Sequence, residues 1–330
     1  MKALLLSAGL GTRMRPMTDR IPKPLLPVLN VPVIEYNINF LKKHGVTDLY
    51  VNIHHCPEQI KEHLGDGSRW GVRISYLFEK EILGTGGAIA SMKDLATERF
   101  IVMNADTVVD FDIEKMLDFH IAQKALVTLG LLRAREGQQH AVVAASGDGR
   151  LIRMLGGTPF ATLPPANAVF SGIHLIEPAL FDYIPHGIYS SITSEIYQRL
   201  VCERSDIVGW FIDGLWYDIG TPDSFVAASF DLLARLPLSF PVPQLVGTQG
   251  LTTDQLVLLG KKSKIPAVPV YPPVILGEGV KITGAKEVGP WLVVGPGVSI
   301  KSDGPVANAI YLPGAKGEAV IRTERGRIHY

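Results

Sequence analysis

The sequence predicts an α/β fold with a largely parallel central sheet, followed by a short β-helix. Two observations support this prediction. Segments with strand-like and helix-like patterns alternate through the first two-thirds of the chain, and this order is typical of parallel strands joined by helices. Nearer the C-terminus, aliphatic residues recur every six positions, which is the sequence period of a β-helix.

The alternating segments begin with a short apolar strand at residues 2–7. Apolar and β-branched residues continue the strand pattern further along, and helix-like segments separate them. Together they predict a three-layer domain over residues 1–235, in which ligands bind beyond the carboxyl ends of the strands. The predicted strands are residues 2–7, 49–53, 72–78, 100–103 and 126–132, and the predicted helices are residues 57–64, 86–95 and 113–122.

The last third of the chain has a different character. Prolines interrupt residues 236–270, which we interpret as a linker. The six-residue repeat then predicts a β-helix domain over residues 271–330, with the aliphatic side chains stacked inside. Because so short a solenoid leaves apolar ends to cover, we expect it to pack on the preceding domain or on another subunit of a homo-oligomer. The repeated aliphatics are Leu276, Ile282, Val288, Val294, Ile300, Val306 and Leu312.

The bulk composition argues against several classes of protein. The formal net charge of the 330 residues is zero, so nothing supports a nucleic-acid or membrane-surface partner. The two cysteines, Cys56 and Cys202, predict no disulfide framework. No apolar run reaches the ~20 residues of a membrane helix, and the N-terminus has no signal-peptide pattern. We therefore expect a soluble cytoplasmic protein.

The first predicted strand runs into a glycine turn that suits phosphate binding. Gly9 and Gly11 let the backbone approach phosphate oxygens closely. Arg13 and Arg15 can donate paired hydrogen bonds to those oxygens, and Lys23 adds a cation held between two prolines. A turn with solvated arginines is the alternative. The turn lacks the third glycine of the dinucleotide fingerprint and the Gly-Lys-Ser/Thr of a P-loop, so a dehydrogenase is not favoured.

Two aspartates are candidate metal ligands. Asp106 follows the predicted strand at residues 100–103, and Asp218 lies shortly before a Gly-Thr-Pro segment. For either residue alone, a turn or helix-capping role is the alternative. Two carboxylates beside a triphosphate can hold Mg²⁺, which combines a few carboxylates with phosphate oxygens and water. We therefore expect Asp106 and Asp218 to bind Mg²⁺.

Six short motifs lie in the first 235 residues. They are AGLGTRMRP at residues 8–16, PKP at 22–24, LGTGG at 83–87, Asn-Ala-Asp at 104–106, FSGI at 170–173 and WYDIGTP at 216–222. The same motifs occur in this order in sugar-1-phosphate nucleotidylyltransferases, also called NDP-sugar pyrophosphorylases. The chain resembles that family over about residues 1–235, and its C-terminal repeat resembles the left-handed β-helix appended to many members. The resemblance implies a Rossmann-like nucleotidyltransferase domain with a mostly parallel mixed sheet.

The resemblance also implies a reaction, in which a nucleoside triphosphate and a sugar 1-phosphate give an NDP-sugar and pyrophosphate. Because the acceptor phosphate is already ionised at neutral pH, catalysis would rest on positioning and charge neutralisation. The implied catalytic residues are Arg13, Lys23, Asp106 and Asp218, with both aspartates as Mg²⁺ ligands. The implied substrate contacts are Ala8, Gly9, Gly11, Thr12, Arg15, Glu81, Gly86, Gly87, Arg153 and Gly172.

Some of these implied contacts have specific roles. Lys23 would bridge the reacting phosphates, and Gly172 would lie against the sugar. Gly86 and Gly87 would line the base and ribose, although close packing at a helix start is another reason for both glycines.

The chain departs from the family pattern in two places. Many members carry a Glu-Lys-Pro whose lysine contacts the sugar phosphate, but no lysine occurs here between Lys124 and Lys261. Either Arg153, in the matching stretch, takes over the anion, or the acceptor is held differently and Arg153 is a solvated strand residue. The second departure is small, since Ala105 stands where glycine is more usual.

The motifs favour some nucleotide and sugar substrates over others but do not single out one pair. Residues 83–86 resemble mannose- and heptose-1-phosphate guanylyltransferases. The C-terminal repeat also resembles the mannose enzymes, toward which we lean. Residues 63–69, HLGDGSR, and the missing lysine resemble N-acetylmuramate-1-phosphate uridylyltransferases. Glu81 stands where a base-reading residue is expected, but a glutamate is usual there in both groups. A regulatory homologue that binds nucleotide sugar without turnover is a further alternative, against which Lys23 and the two aspartates argue.

Overall fold

A computed structural model describes residues 1–134, 143–155, 157–159, 161–162, 164–204, 206–236, 239, 255–315 and 320–330. The chain divides into two compact units. The first unit comprises Met1–Gly9, Phe40–Ala105 and Val109–Trp216, and the second comprises Leu10–Asn39, Asp106–Val108 and Tyr217–Tyr330. Part of the predicted linker, residues 237–238 and 240–254, lies outside the described residues. The domain boundaries at residues 235 and 270 stay a prediction.

The secondary structure of the first 236 residues follows the predicted alternation, and the α/β fold is confirmed. The predicted helix at residues 86–95 starts two residues earlier and is shorter, since turns replace it after Ala90. The helices are α1 (Val33–Lys43), α2 (Pro57–Leu64), α3 (Gly84–Ala90), α4 (Ile113–Ala122), α5 (Gln198–Glu203) and α6 (Pro222–Leu233). The strands are β1 (Lys2–Leu6), β2 (Pro27–Val28), β3 (Val31–Pro32), β4 (Asp48–Ile53), β5 (Arg73–Phe78), β6 (Phe100–Asn104), β7 (Thr107–Phe111), β8 (Val127–Arg133), β9 (Val143–Ala145), β10 (Leu151–Met154), β11 (Ala168–Ile176), β12 (Ile207–Phe211) and β13 (Gly214–Asp218).

The first unit is built on one nine-stranded mixed sheet. Strand β1 pairs in parallel with β4 and β6, and β4 pairs in parallel with β5. Strand β11 runs antiparallel to its neighbours β6, β8 and β9, and β10 runs antiparallel to β9, which makes the sheet mixed. Leu4 in β1 and Val102 in β6 are fully buried, as expected for central strands covered on both faces. This arrangement brings the carboxyl ends of β1 and β6, where the first glycine turn and Asn104 lie, to one edge of the sheet.

Two of the helices, α4 and α6, begin at side-chain caps. Asp112 accepts hydrogen bonds from Glu114 N and Lys115 N at the start of α4, and Thr221 forms a capping box with Ser224 at the start of α6. Helices α2, α3 and α4 contact β5, β1 and β8 of the sheet. No helix among the described residues is long and apolar enough to cross a membrane.

The C-terminal repeat forms parallel strands stacked as in a β-helix. Ile282 pairs with Ile300 and Val288 with Val306, so one coil takes three hexads. All seven repeated aliphatics are buried, because each coil stacks its inward side chains on those of the next. The strands are β14 (Val257–Leu259), β15 (Val274–Leu276), β16 (Lys281–Thr283), β17 (Glu287–Val288), β18 (Leu292–Val294), β19 (Ser299–Lys301), β20 (Pro305–Val306), β21 (Ala309–Tyr311), β22 (Val320–Arg322) and β23 (Arg327–His329).

The stack differs from the predicted repeat at both ends. Strand β14 starts inside the predicted linker and pairs with β15, because prolines interrupt a helix more strictly than the short strands of a coil. Near the other end, Val294 pairs with Tyr311 and not with Leu312, so the repeat slips by one residue. The antiparallel pair of β22 and β23 follows, and β23 contacts α6, which covers part of the apolar end.

Candidate active site

Lys23 and Asp106 form an ion pair in the second unit. Lys23 begins the short 3-10 turn Lys23–Leu25 between two prolines, and only 9% of it is exposed. Its ammonium group contacts the carboxylate of Asp106. Burying an amino group requires a partner of opposite charge, so this ion pair fixes the position of the cation.

Asp218 also lies in the second unit, and a pair of short strands places it near Asp106. Asp106 immediately precedes β7, Asp218 ends β13, and these two strands pair with each other. The N–H of Ile219 donates to the carbonyl oxygen of Asp106 at 3.2 Å. The backbone beside one aspartate is therefore bound to the backbone of the other, which brings together two residues far apart in sequence.

The two carboxylates repel each other in spite of nearby cations. Burial raises the pKa of Asp218, and the negative charge of Asp106 raises it further. The charge of Lys23, a backbone hydrogen bond at Gly220 and the charge of Arg13 act in the opposite direction but do not cancel the rise. An additional cation at Asp106 and Asp218 would relieve this remaining repulsion.

Gly220 lies directly against the charged groups of the site. A Cβ atom at this position would lie 2.6 Å from Oδ2 of Asp218 and 3.0 Å from a terminal guanidinium nitrogen of Arg13. Only glycine leaves that space free, and the sequence analysis did not single this residue out. The same contact brings Arg13 into the group formed by Lys23, Asp106 and Asp218.

Gly220→Ala is expected to lower kcat/KM by about tenfold or more while the melting temperature changes little. The atoms nearest to the new methyl group are the ends of two side chains, so the fold can adapt by moving Asp218 and Arg13 out of position. Gly304→Ala is the matched control, since a Cβ there meets nothing within 4 Å. Kinetics and thermal denaturation of both variants test this, and equal activity of the two would contradict it.

The second half of the glycine turn also belongs to the second unit. Gly11 has a φ angle of 63° in the left-handed region, which favours glycine. Thr12 and Arg13 are exposed on the 3-10 turn Thr12–Met14. Arg15 is exposed as well, and its guanidinium pairs with Asp19 at 3.2 Å. Arg13 is therefore the arginine that the structure brings to the carboxylates.

The remaining predicted contacts lie in the first unit, where packing explains several glycines. A Cβ at Gly86 would lie 2.4 Å from Ser190 Oγ, and one at Gly87 would lie 2.6 Å from Leu83 Cβ. The packing explanation for this glycine pair therefore holds. A Cβ at Gly172 would lie 2.4 Å from Asn104 Nδ2. Ala8 is buried, whereas Gly9 and Glu81 are exposed. The substrate contacts of all these residues stay predictions.

The sequence analysis missed a buried polar network in the first unit. Asn52 Oδ1 accepts from the backbone N–H of Ser7 at 2.6 Å, and its Nδ2 donates to Glu79 Oε1 at 2.7 Å. The other oxygen of Glu79 accepts from Leu83 N at 2.9 Å. The network ties the end of β1 to the LGTGG segment. Its only sequence signal is a polar asparagine inside the apolar strand β4.

The guanidinium of Arg153 is bound by carbonyl groups of the segment that follows β10. Its Nε donates to the carbonyl oxygen of Leu155 at 3.0 Å, and a terminal nitrogen donates to the carbonyl oxygen of Pro164 at 2.9 Å. The side chain is partly buried, so it is not the solvated strand residue of the second alternative. These contacts favour a structural role, and a contact with the sugar phosphate stays a prediction.

Arg153→Ala is expected to lower the melting temperature by about 2–4 °C, because two hydrogen bonds of roughly 1 kcal/mol each are lost. The KM for the sugar phosphate should change by less than about twofold. Arg153→Lys keeps the charge but cannot reach both carbonyls in the same way, so it should be destabilised too. A KM that rises in the alanine variant and is restored by lysine would instead assign Arg153 to the phosphate.

Asp106 and Asp218 could hold a metal ion only with help from a ligand. Among the described residues, no group of three or more His, Cys, Asp or Glu side chains could hold a metal. Two carboxylates form an incomplete set of hard oxygen ligands, which suits Mg²⁺ because it takes its other ligands from phosphates and water. The raised pKa of Asp218 also fits a site that lacks positive charge. The residues present therefore fit Mg²⁺.

The α/β fold and the grouping of two cations with two carboxylates suit an enzyme that acts on phosphates, and comparison with known families identifies the class. A family model described as nucleotidyl transferase matches residues 2–235, which include Arg13, Lys23, Asp106 and Asp218. The chain belongs to the nucleotidyl transferase family. The predicted family and enzyme class are confirmed.

Two similar proteins and one solved structure show which members of the family this chain resembles. A UTP–glucose-1-phosphate uridylyltransferase from Synechocystis is 27% identical over 320 residues, covering 91% of this chain and 81% of the relative. A mannose-1-phosphate guanylyltransferase from Mycobacterium tuberculosis is 31% identical over 290 residues, covering 87% of this chain and 76% of the relative. The crystal structure of HddC from Yersinia pseudotuberculosis complexed with GMP-PN has a TM-score of 0.58 and 19% identity, covering 70% of this chain and 99% of that one. The prediction of a sugar-1-phosphate nucleotidyltransferase is thus confirmed as a class.

Proposed function

We propose that this enzyme converts GTP and mannose 1-phosphate, or a similar hexose 1-phosphate, to GDP-sugar and pyrophosphate. The observation that carries the proposal is the grouping of Lys23, Arg13 and two mutually repelling aspartates in one compact unit. Cations for the phosphates and carboxylates for a metal are what phosphoryl chemistry on a triphosphate needs. The glycine turn at residues 9–11 supplies the approach to the phosphates.

The chemistry requires positioning more than proton transfer. An oxygen of the sugar phosphate attacks the α-phosphorus, and the bond from that phosphorus to the oxygen bridging the β-phosphate breaks, which releases pyrophosphate. The attacking oxygen is already ionised, so no general base is needed. Lys23 and Arg13 hold the phosphate oxygens and neutralise charge that grows in the transition state. Mg²⁺ bound to Asp106 and Asp218 would supply further charge neutralisation.

Two relatives favour different bases. The mannose-1-phosphate guanylyltransferase of Mycobacterium tuberculosis is the more similar of the two, at 31% identity against 27%. Other proteins named as mannose-1-phosphate guanylyltransferases match this chain at 29–32% identity. This supports the lean to guanylyl transfer. The Synechocystis enzyme supports uridylyl transfer as the second candidate, with glucose 1-phosphate as the acceptor to test beside N-acetylmuramate 1-phosphate.

Pyrophosphate release from a matrix of nucleoside triphosphates and sugar 1-phosphates tests the proposal. With Mg²⁺ present, we expect the highest kcat/KM for GTP with mannose 1-phosphate. A preference for UTP would overturn the guanylyl assignment and keep the enzyme class. Asp106→Asn in the same matrix is the blank for background hydrolysis. Turnover with no pair would favour the nucleotide-sugar-binding regulatory homologue.

A homo-oligomer stays our expectation for the assembly. Light scattering coupled to size-exclusion chromatography measures it directly. A monomer at micromolar concentration would contradict it.

A further inference from the structure

Thr18 is a buried polar residue for which the sequence analysis gave no role. It lies in the short 3-10 turn Met17–Asp19 of the second unit and is 1% exposed. Its hydroxyl group donates a hydrogen bond of 2.8 Å to the carbonyl oxygen of Gly11. A buried hydroxyl bonded to a backbone carbonyl seven residues earlier helps to fix that carbonyl, because a buried hydrogen bond is costly to break.

The carbonyl group of Gly11 is held from two sides. Besides the hydroxyl of Thr18, it accepts the backbone N–H of Met14 at 2.9 Å. In a planar trans peptide, the carbonyl of one residue and the N–H of the next point in opposite directions. Fixing the Gly11 carbonyl toward Thr18 therefore directs the N–H of Thr12 away from Thr18. Thr12 itself is exposed, so a ligand can reach this residue.

The methyl group of Thr18 contributes to the same arrangement. A Cβ at Gly11 would lie 2.9 Å from Thr18 Cγ2 and 3.3 Å from Lys23 Cβ. Thr18 and Lys23 therefore both border Gly11, which leaves no room for a side chain there. One buried residue thus contacts the backbone of the glycine turn beside the lysine that pairs with Asp106.

We propose that Thr18 is a positioning residue that sets the orientation of the Gly11–Thr12 peptide, so that the N–H of Thr12 is presented to the polyphosphate of the nucleotide. The inference rests on the proposed function. Thr18 does not touch the reacting atoms. It acts by keeping a backbone donor aligned before the ligand arrives, which reduces the entropic cost of binding an anion at the turn.

The test compares Thr18→Val, which keeps the shape and removes the donor, with Thr18→Ser, which keeps the donor and removes the methyl. Calorimetric binding of α,β-methylene GTP and α,β-methylene UTP is measured for both variants and the wild type. We expect the dissociation constant of the better analogue to rise about fivefold to tenfold in Thr18→Val, as for a lost hydrogen bond. Thr18→Ser should stay within about threefold. The KM for the triphosphate should follow the same order while the KM for the sugar phosphate does not change.

Equal binding by Thr18→Val and the wild type would overturn the inference, and so would a serine variant as weak as the valine variant. If Thr18→Val does not fold, Thr18→Ala and Thr18→Ser form a pair that differs only by the hydroxyl, and the same order is expected between them. Analogue binding needs no turnover, so a failure of the Thr18 inference can be told apart from a failure of the proposed catalytic activity. A wild type that binds neither analogue would instead overturn the proposed function.

Discussion

Asp218→Asn is expected to lower kcat by about 10³-fold or more and, without metal, to make the protein more stable than the wild type at pH 7. Both effects come from the same feature. Asp218 ends β13 beside Asp106, and burial together with the charge of Asp106 raises its pKa. The asparagine side chain has nearly the same shape but no charge, so it removes a proposed metal ligand and the repulsion at once.

The effect on stability should depend on pH in a defined direction. Because the pKa of Asp218 is higher in the folded protein than in the unfolded chain, the folded state binds more protons between the two pKa values. Stability is therefore lost as the pH rises through that window, and the full penalty is present above it. Asparagine carries no such penalty. The advantage of Asp218→Asn should be greatest near neutral pH and disappear below the ordinary pKa of aspartate.

Thermal denaturation in the presence of a chelator, from about pH 3.5 to pH 7.5, measures this difference alongside the kinetics. Mg²⁺ should raise the melting temperature of the wild type and not that of Asp218→Asn, because ligands stabilise the state that binds them. Asp213→Asn is the control, since Asp213 is exposed in the preceding loop, and it should change neither activity nor stability. An active Asp218→Asn enzyme, or one less stable than the wild type at pH 7, would refute the assignment.

The parts of the fold that sequence predicts are those that local patterns control. Burial on both faces of a parallel sheet produces the apolar runs of β1 and β6, and Asp106 could be placed at the end of β6 for that reason. The aliphatic repeat identified the C-terminal coils because each one buries side chains at a fixed spacing. It failed at Leu312, where one residue fewer between coils brings Tyr311 onto Val294.

The contacts that the sequence did not predict join residues distant along the chain. The hydroxyl of Thr18 and the carbonyl of Gly11 meet only after a turn closes, and Glu79 reaches Asn52 from the neighbouring strand. In the sequence Gly220 looks like an ordinary loop glycine, and only the fold shows that it lies against Asp218 and Arg13. Arg153 is one candidate for the sugar phosphate in the sequence, and only the fold shows that its guanidinium donates to two carbonyl groups. Sequence patterns therefore indicate which residue types could serve a site, whereas the contact partners of those residues depend on the fold.

Lys23→Met is expected to lower kcat by about 10²-fold to 10³-fold, since methionine keeps much of the length of the side chain and removes its charge. No other lysine is available from the motifs, because the middle of the domain has none between Lys124 and Lys261. The acid limb of the pH–rate profile should also move to higher pH. Lys23 lowers the pKa of Asp218, so removing its charge lets that pKa rise.

The response to Mg²⁺ separates Lys23 from the aspartates. The ammonium group of Lys23 forms an ion pair with the carboxylate of Asp106. Lys23→Met therefore frees a proposed metal ligand, and Mg²⁺ should stabilise this variant at least as strongly as the wild type. Asp106→Asn should lose both turnover and stabilisation by Mg²⁺. Lys115→Met, at a lysine whose side chain is 74% exposed on α4, is the control and should behave as the wild type. If Lys23→Met lost its response to Mg²⁺ as Asp106→Asn does, Lys23 would be needed to build the metal site and not to neutralise the reacting phosphates.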